Sequence, residues 1–265
     1  MPEGDTVFLT AHRLHDALAG KSLTRGEIRH PALSTVDLAG REVTEVGSVG
    51  KHIFTRLGDG VSLHSHLRMD GSWHLYRPGE HWRRPSHQAR AILSTSDREA
   101  VGFLLHDLEL LPTAEESRLV GHLGPDLLHP SWDAAMAAEA ARRLAADPSR
   151  QIGLALLDQR VMAGVGNLYK AEVCFLLGVS PWSPVSATDP ARAVELSHKL
   201  LLRNAWRPEQ STTGELARGR QHWVYERQGK RCLRCGSAVV RAMQGTGLQQ
   251  RPTWYCPRCQ PGPTA

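Results

Sequence analysis

Apolar residues recur at helical spacing at the start of the chain and again in its second half, and between these stretches short β-leaning runs alternate with turns. Val7, Ala11, Leu14 and Leu18 share one face of a helix that Asp5 or Thr6 can cap and Gly20 can end. Pro2 and Glu3 therefore sit just ahead of a helix N-terminus. From Ser22 to about Leu111, β-leaning runs at 42–49, 52–57, 61–66, 72–76, 89–95 and 100–105 are separated by Gly, Pro and Asp turns, which is the pattern of a β-sandwich or barrel. After Pro112 the period changes. Residues 132–146 are rich in Ala, Leu, Arg and Glu, 152–157 form a short apolar turn, and 168–177 and 191–202 come next as helices. Gly164-Val165-Gly166-Asn167, between two of these, is too glycine-rich to continue a helix but suits a tight turn with exposed backbone N–H groups.

Composition narrows this picture. The 265 residues give room for two modest domains and a small appendage, and 41% hydrophobic with 22% charged residues is ordinary globular content. The formal charge of +5 favours a polyanionic partner only if the positive groups are concentrated. Arg218, Arg220, Arg227, Lys230, Arg231 and Arg234 crowd together ahead of and within a cysteine cluster, as a phosphate-facing strip would. No apolar run reaches the roughly 18 residues of a membrane span, and the start lacks the features of a secretory signal. A cytoplasmic protein is expected.

In a reducing compartment, five cysteines read as a metal site plus one spare thiol. Cys232-Leu-Arg-Cys235 and Cys256-Pro-Arg-Cys259, separated by 20 residues, suit four thiolates around one zinc ion, with two disulfides or chance pairs as the alternatives. The spacer reads as two strands joined by a glycine turn, so the module is a hairpin whose zinc is structural. Cys174 lies in an apolar run and reads as a small core residue.

Proline at position 2 permits removal of Met1, which exposes a secondary amine. An α-amino group titrates near 8, so an appreciable fraction is free base at neutral pH, and a helix N-terminus lowers it further. Attack of such an amine on C1′ of a sugar gives a permanently cationic iminium, which eases elimination at C2′ and C3′. Glu3 is placed for general acid and base work. Taken alone, Met-Pro-Glu is also simply a common start.

Five separated motifs agree with one another: Met1-Pro2-Glu3-Gly4; Gly50-Lys51-His52; His66-Leu67-Arg68-Met69-Asp70-Gly71-Ser72; Leu157-Asp158-Gln159 with Gly164-Val165-Gly166-Asn167-Leu168-Tyr169; and 250–260, which ends in the second cysteine pair. In this order, across nearly the whole chain, they resemble the Fpg/Nei DNA glycosylases. The resemblance implies an α+β fold: an N-terminal catalytic β-sandwich domain (1–115), a helix-two-turn-helix DNA-binding domain (116–224) and a zinc β-hairpin finger (225–261), in a monomer that binds damaged DNA as duplex, single strand or bubble. It implies a bifunctional glycosylase and AP lyase of base excision repair. Pro2 then forms the Schiff base and Glu3 acts as acid/base. Lys51 contacts phosphate and donates a proton in β-elimination, Arg251 assists δ-elimination, Asn167 binds phosphate, and Cys232, Cys235, Cys256 and Cys259 hold zinc.

A flipped base leaves a gap that apolar wedges fill. Met69 matches the wedge position, against a buried strand-end methionine as the plain reading, and Arg68 beside it is placed for the orphaned base or a phosphate. The chain departs from the family in two places. Asp5-Thr6 replaces a common Pro-Glu, so a second glutamate is absent, and 106–111 lacks the Arg-Arg-Phe run of Fpg-type enzymes. The second departure, with a short 211–221 segment, points to the Nei branch and to oxidised pyrimidines. Two other readings remain at this stage: a non-catalytic damaged-DNA-binding module, and an AP lyase with little glycosylase activity.

Overall fold

The computed structural model describes residues 2–247 and 250–264, and these form two compact units. One unit comprises residue 2 and Thr6–His122; the other comprises Glu3–Asp5 and the chain from Leu123 onward. No helix is long and apolar enough to cross a membrane among the described residues.

The first helix, α1 (Gly4–Leu18), starts one residue earlier than its capping residues suggested. The strands of this part of the chain are β1 (Lys21–Ser22), β2 (Arg25–Ile28), β3 (Glu42–Val49), β4 (His52–Leu57), β5 (Val61–His66), β6 (Ser72–Tyr76), β7 (Ala89–Ser94), β8 (Glu99–Phe103) and β9 (Asp107–Pro112), closed by the single turn α2 (Ser117–Val120). They form two antiparallel sheets, in the orders β1-β3-β4-β5-β9 and β2-β7-β8-β6. Val43, Ile53 and Leu63 from one sheet and Ile28, Leu93 and Ala100 from the other share a single buried cluster with Val7, Ala11, Leu14 and Leu18 of α1. Each fully buried Leu or Ile there contributes roughly 1.5–3 kcal/mol. The two sheets thus share a common core, the expected sandwich.

In the second unit the helices are α3 (Ala134–Ala145), α4 (Ile152–Leu157), α5 (Asn167–Leu177) and α6 (Pro190–Asn204), with β10 (Val240–Gln244) and β11 (Arg251–Tyr255) beyond them. Asp133 caps α3 by accepting the Met136 N–H at 2.8 Å, and Asp189 caps α6 with proline in its first turn. Gly178, at φ +73°, ends α5 in the left-handed conformation. The segment 152–157, expected as a turn, is a short α-helix.

Two buried interactions weld α5 to the chain beyond α6. The Glu172 carboxylate is fully buried and accepts the N–H groups of Trp223, Val224 and Tyr225 at 2.8, 2.8 and 2.9 Å, with the Thr212 hydroxyl as a fourth donor. Phe175 stacks on Trp223, and the Arg234 guanidinium lies 4.2 Å from the Phe175 ring centre. Part of the predicted basic strip is therefore structural. Arg227 is buried and donates to the carbonyls of His222 and Arg231, and Arg220 is paired with Glu215.

Candidate active site

The turn 164–167 is shaped by one side chain. Gln159 accepts the Gly164 N–H at 3.1 Å and donates to the carbonyls of Leu157 and Val165 at 2.9 and 2.8 Å. The first amides of α5 then point at a common spot, as the unpaired N–H groups of any helix start do. Glu3 occupies it. Its carboxylate accepts from Gly166 at 2.8 Å, Leu168 at 2.6 Å and Tyr169 at 3.3 Å, and its side chain is fully buried. The sequence suggested that these amides are exposed and ready for phosphate; they are instead the seat of Glu3.

Two glycines make this approach possible. A Cβ on Gly166 would lie 2.4 Å from Cδ of Glu3, and one on Gly4 would lie 2.8 Å from Cα of Gly164. The Gly4 N–H donates to the Gly164 carbonyl at 2.9 Å. Asp5, the next residue, is also buried. Its carboxylate accepts the Tyr169 hydroxyl at 2.6 Å and both oxygens accept from Gln210 Nε2, at 2.9 and 2.8 Å.

The same helix start reaches the hairpin. Asn167 donates from Nδ2 to the Pro252 carbonyl at 2.8 Å, and Lys170 donates to the Thr253 hydroxyl at 2.5 Å. Lys170 is fully buried, which pulls its ammonium down to about 8 despite the neighbouring Glu3 charge. Arg251 begins β11, is exposed, and donates to the Gln250 carbonyl at 3.0 Å. Glu3, Asn167 and Arg251 are thus all organised around the start of α5 and the strand beside it.

The four predicted cysteines converge. Sγ of Cys232 lies 3.9 Å from that of Cys259, Sγ of Cys235 lies 3.5 Å from that of Cys256, and all four fall within 4.8 Å of one another. A tetrahedral thiolate site with metal–sulfur bonds of about 2.3 Å has edges of about 3.8 Å, so the donor set fits one metal ion. The set has no fifth place for water. β10 and β11 pair antiparallel from Val240↔Tyr255 to Gln244↔Arg251, which confirms the expected hairpin. Cys174 is fully buried and burial pushes its thiol up to about 12, in keeping with a core residue.

In the first unit, Pro2 is half-buried, and Lys51 sits with Gly50 in the two-residue connection between β3 and β4, where Gly50 takes φ +59°. The turn after β5 places Met69 outward, 68% exposed, which excludes the buried strand-end reading. Arg68, at φ +51°, donates its N–H to His66 Nδ1 at 3.0 Å, and its guanidinium is bound by Asp107. Arg84 reaches the Asp70 carbonyl at 3.4 Å.

Three histidines line β4 and β5 next to Lys51. His52 Nδ1 lies 2.9 Å from His64 Nε2, and the His66 ring meets His52 edge-on. Burial is the main reason His52 falls to about 3 and His66 to about 4. All three rings are lowered in this way and are neutral at physiological pH.

Sequence reasoning missed Asp5, Tyr169, Lys170 and Gln210. Lys170 and Glu172 carried a signal, because they are opposite charges inside an otherwise apolar helical run. Asp5 read as a helix cap, and nothing local links it to positions 169 and 210.

A two-sheet sandwich in one unit, with a glycine-turn helix pair in the other and a four-cysteine hairpin able to hold a metal ion, defines a class of two-unit proteins. Comparison with known sequences places the chain within it. The profile of the formamidopyrimidine-DNA glycosylase N-terminal domain matches residues 1–106, and that of the formamidopyrimidine-DNA glycosylase H2TH domain matches residues 123–214. The chain is 55% identical to the probable endonuclease 8 2 of Streptomyces coelicolor over 99% of its length and 95% of the relative's. It is 47% identical to the DNA-(apurinic or apyrimidinic site) lyase Nei2 of Mycolicibacterium smegmatis, over 98% of this chain and 99% of that one. The fold matches that of Lactococcus lactis formamidopyrimidine-DNA glycosylase bound to DNA with an AP site, with a TM-score of 0.79 at 21% identity, covering 98% of this chain and 100% of that one. The chain belongs to the formamidopyrimidine-DNA glycosylase and endonuclease VIII family.

Proposed function

We propose that this protein is a bifunctional DNA glycosylase and AP lyase of base excision repair that removes oxidised bases, pyrimidines in preference, from damaged DNA. The observation that carries the reading is the Glu3 carboxylate held on three backbone amides of the turn, one residue from the Pro2 nitrogen. A carboxylate fixed in this way has a defined position for exchanging a proton, and three aligned donors hold it there.

After loss of Met1, the Pro2 nitrogen attacks C1′ of the damaged nucleotide. The C1′–base bond breaks and the base leaves, taking a proton from solvent. The Glu3 carboxylate then accepts the proton of the new C1′–ammonium and passes it to the sugar ring oxygen as the C1′–O4′ bond breaks, so that an iminium between C1′ and the Pro2 nitrogen carries the positive charge. Loss of a C2′ proton then expels the 3′ phosphate, and a second elimination expels the 5′ phosphate. Lys51 and Arg251 serve the two flanking phosphates, Lys51 in the first elimination and Arg251 in the second. Asn167 holds the carbonyl of Pro252, next to Arg251, and is a further phosphate contact. Met69 fills the place of the extruded base, with Arg68 beside it. The metal is zinc, held by Cys232, Cys235, Cys256 and Cys259 in a closed structural site that keeps β11 rigid.

The test uses duplexes carrying an abasic site, dihydrouracil or 8-oxoguanine, with borohydride added to half of each reaction. Wild-type protein is expected to crosslink to the abasic and dihydrouracil duplexes and Pro2→Gly to neither. Crosslinking to the abasic duplex alone reduces the activity to a lyase. Binding without crosslinking on every duplex would refute the enzymatic reading.

A further inference from the structure

We propose that Asp5, with Tyr169 and Gln210, is a positioning clamp that sets where the Pro2 amine starts its attack; the inference rests on the function proposed above. A nucleophile carried at the end of a chain is as well placed as the residues behind it, and a displacement of about 1 Å at a reacting group costs on the order of 100-fold in rate. Three anchors hold residues 3–5. Two are the Glu3 carboxylate on the amides of α5 and the Gly4 N–H on the Gly164 carbonyl. The third is Asp5, whose carboxylate takes the Tyr169 hydroxyl and a two-pronged contact from the Gln210 amide.

The chemistry of this third anchor goes beyond helix capping. Asp5 lies inside α1 and its side chain is 1% exposed, so its carboxylate is spent on two partners that reach it from α5 and from the segment after α6. Tyr169 is itself fully buried, and its backbone N–H is one of the three donors to Glu3. One residue therefore grips both acidic side chains, the amide holding Glu3 and the hydroxyl holding Asp5. Gln210 fixes the second dimension of the carboxylate plane. The arrangement leaves the residue 2 backbone leading away from a segment fixed at three successive positions.

The experiment measures single-turnover borohydride trapping on an abasic duplex, with affinity for a tetrahydrofuran-containing duplex and thermal stability read in parallel. Asp5→Asn places an amide N–H against the Gln210 amide and is expected to slow trapping by 10- to 100-fold, with affinity and melting temperature little changed. Gln210→Glu puts a second carboxylate against the buried Asp5 carboxylate and is expected to slow trapping to a like extent while lowering the melting temperature. The exchanged pair, Asp5→Asn with Gln210→Glu, restores donor to acceptor and is expected to recover trapping to within about fivefold of wild type. Trapping by Asp5→Asn within threefold of wild type overturns the clamp, as does parallel loss of trapping, affinity and melting temperature with no recovery in the exchanged pair. If wild-type protein itself fails to trap, it is the proposed function that fails.

Discussion

Replacing Gly166 with alanine isolates the seat of Glu3 from every other role of the turn. Gly166 has φ −123° and ψ −159°, extended backbone that alanine adopts freely, so the substitution adds no backbone strain. Its whole effect comes from the new methyl group, which would stand 2.4 Å from Cδ of Glu3 and 2.7 Å from Cγ and Oε1. Carbon atoms in contact settle near 3.5 Å, so the carboxylate must withdraw by about 1 Å. The bonds from Gly166 and Leu168, now 2.8 and 2.6 Å, then break or lose alignment in a buried place. A hydrogen bond to a charged group contributes about 1.5–3 kcal/mol, which puts the cost at roughly 2–5 kcal/mol after partial relaxation. A fall in melting temperature of at least about 5 °C is expected, together with a loss of about 100-fold in single-turnover trapping on an abasic duplex. In a Glu3→Ala background the methyl group has nothing to strike, and the same glycine substitution is expected to cost under about 1 kcal/mol. Gly166→Ala protein that traps within threefold of wild type, or that loses as much stability without Glu3 as with it, refutes the reasoning.

Two further outcomes are expected. The unfolded chain takes up protons on its histidines below pH 6.5, whereas His66 resists down to about 4 and His52 to about 3. Stability is therefore complete above pH 6.5 and lost as the pH falls, by on the order of 2 kcal/mol per ring at pH 5. Urea denaturation at pH 7.5 and 5 checks this, and a drop of undiminished size in His66→Phe would assign it to other groups. Removal of metal by a strong chelator is expected to abolish trapping and lower the melting temperature, with one zinc released per chain by elemental analysis and Cys256→Ser behaving alike; retention of both properties after complete removal would make the ion dispensable.

The sandwich was legible because its β-leaning runs are separated by Gly, Pro and Asp turns. β3, β4, β5 and β6 fall where the pattern puts them, and β7 and β8 differ by one or two residues at their ends. β9 escaped because it carries no β-branched or aromatic residue, and β1 and β2 are short. The cysteine module was legible because its ligands come in close pairs. What the chain hides is the use of its charges. Arg227 looked like part of a phosphate-facing strip but hydrogen-bonds to backbone inside the fold, and the turn amides that looked open to an anion are filled by Glu3. Such pairings join residues far apart along the chain, and neither period nor spacing records them.

That separation fixes an order of events in the making of the molecule. Glu3 bonds to an amide 163 residues later and Asp5 to a side chain 205 residues later. During synthesis from the N-terminus, all nine strands of the sandwich exist by Pro112, when neither the turn nor Gln210 has been made. The first acidic residues of the chain are thus among the last to find their places. The removal of Met1 that the proposed function requires needs a reachable N-terminus, and that interval, before Glu3 and Asp5 are buried, supplies one.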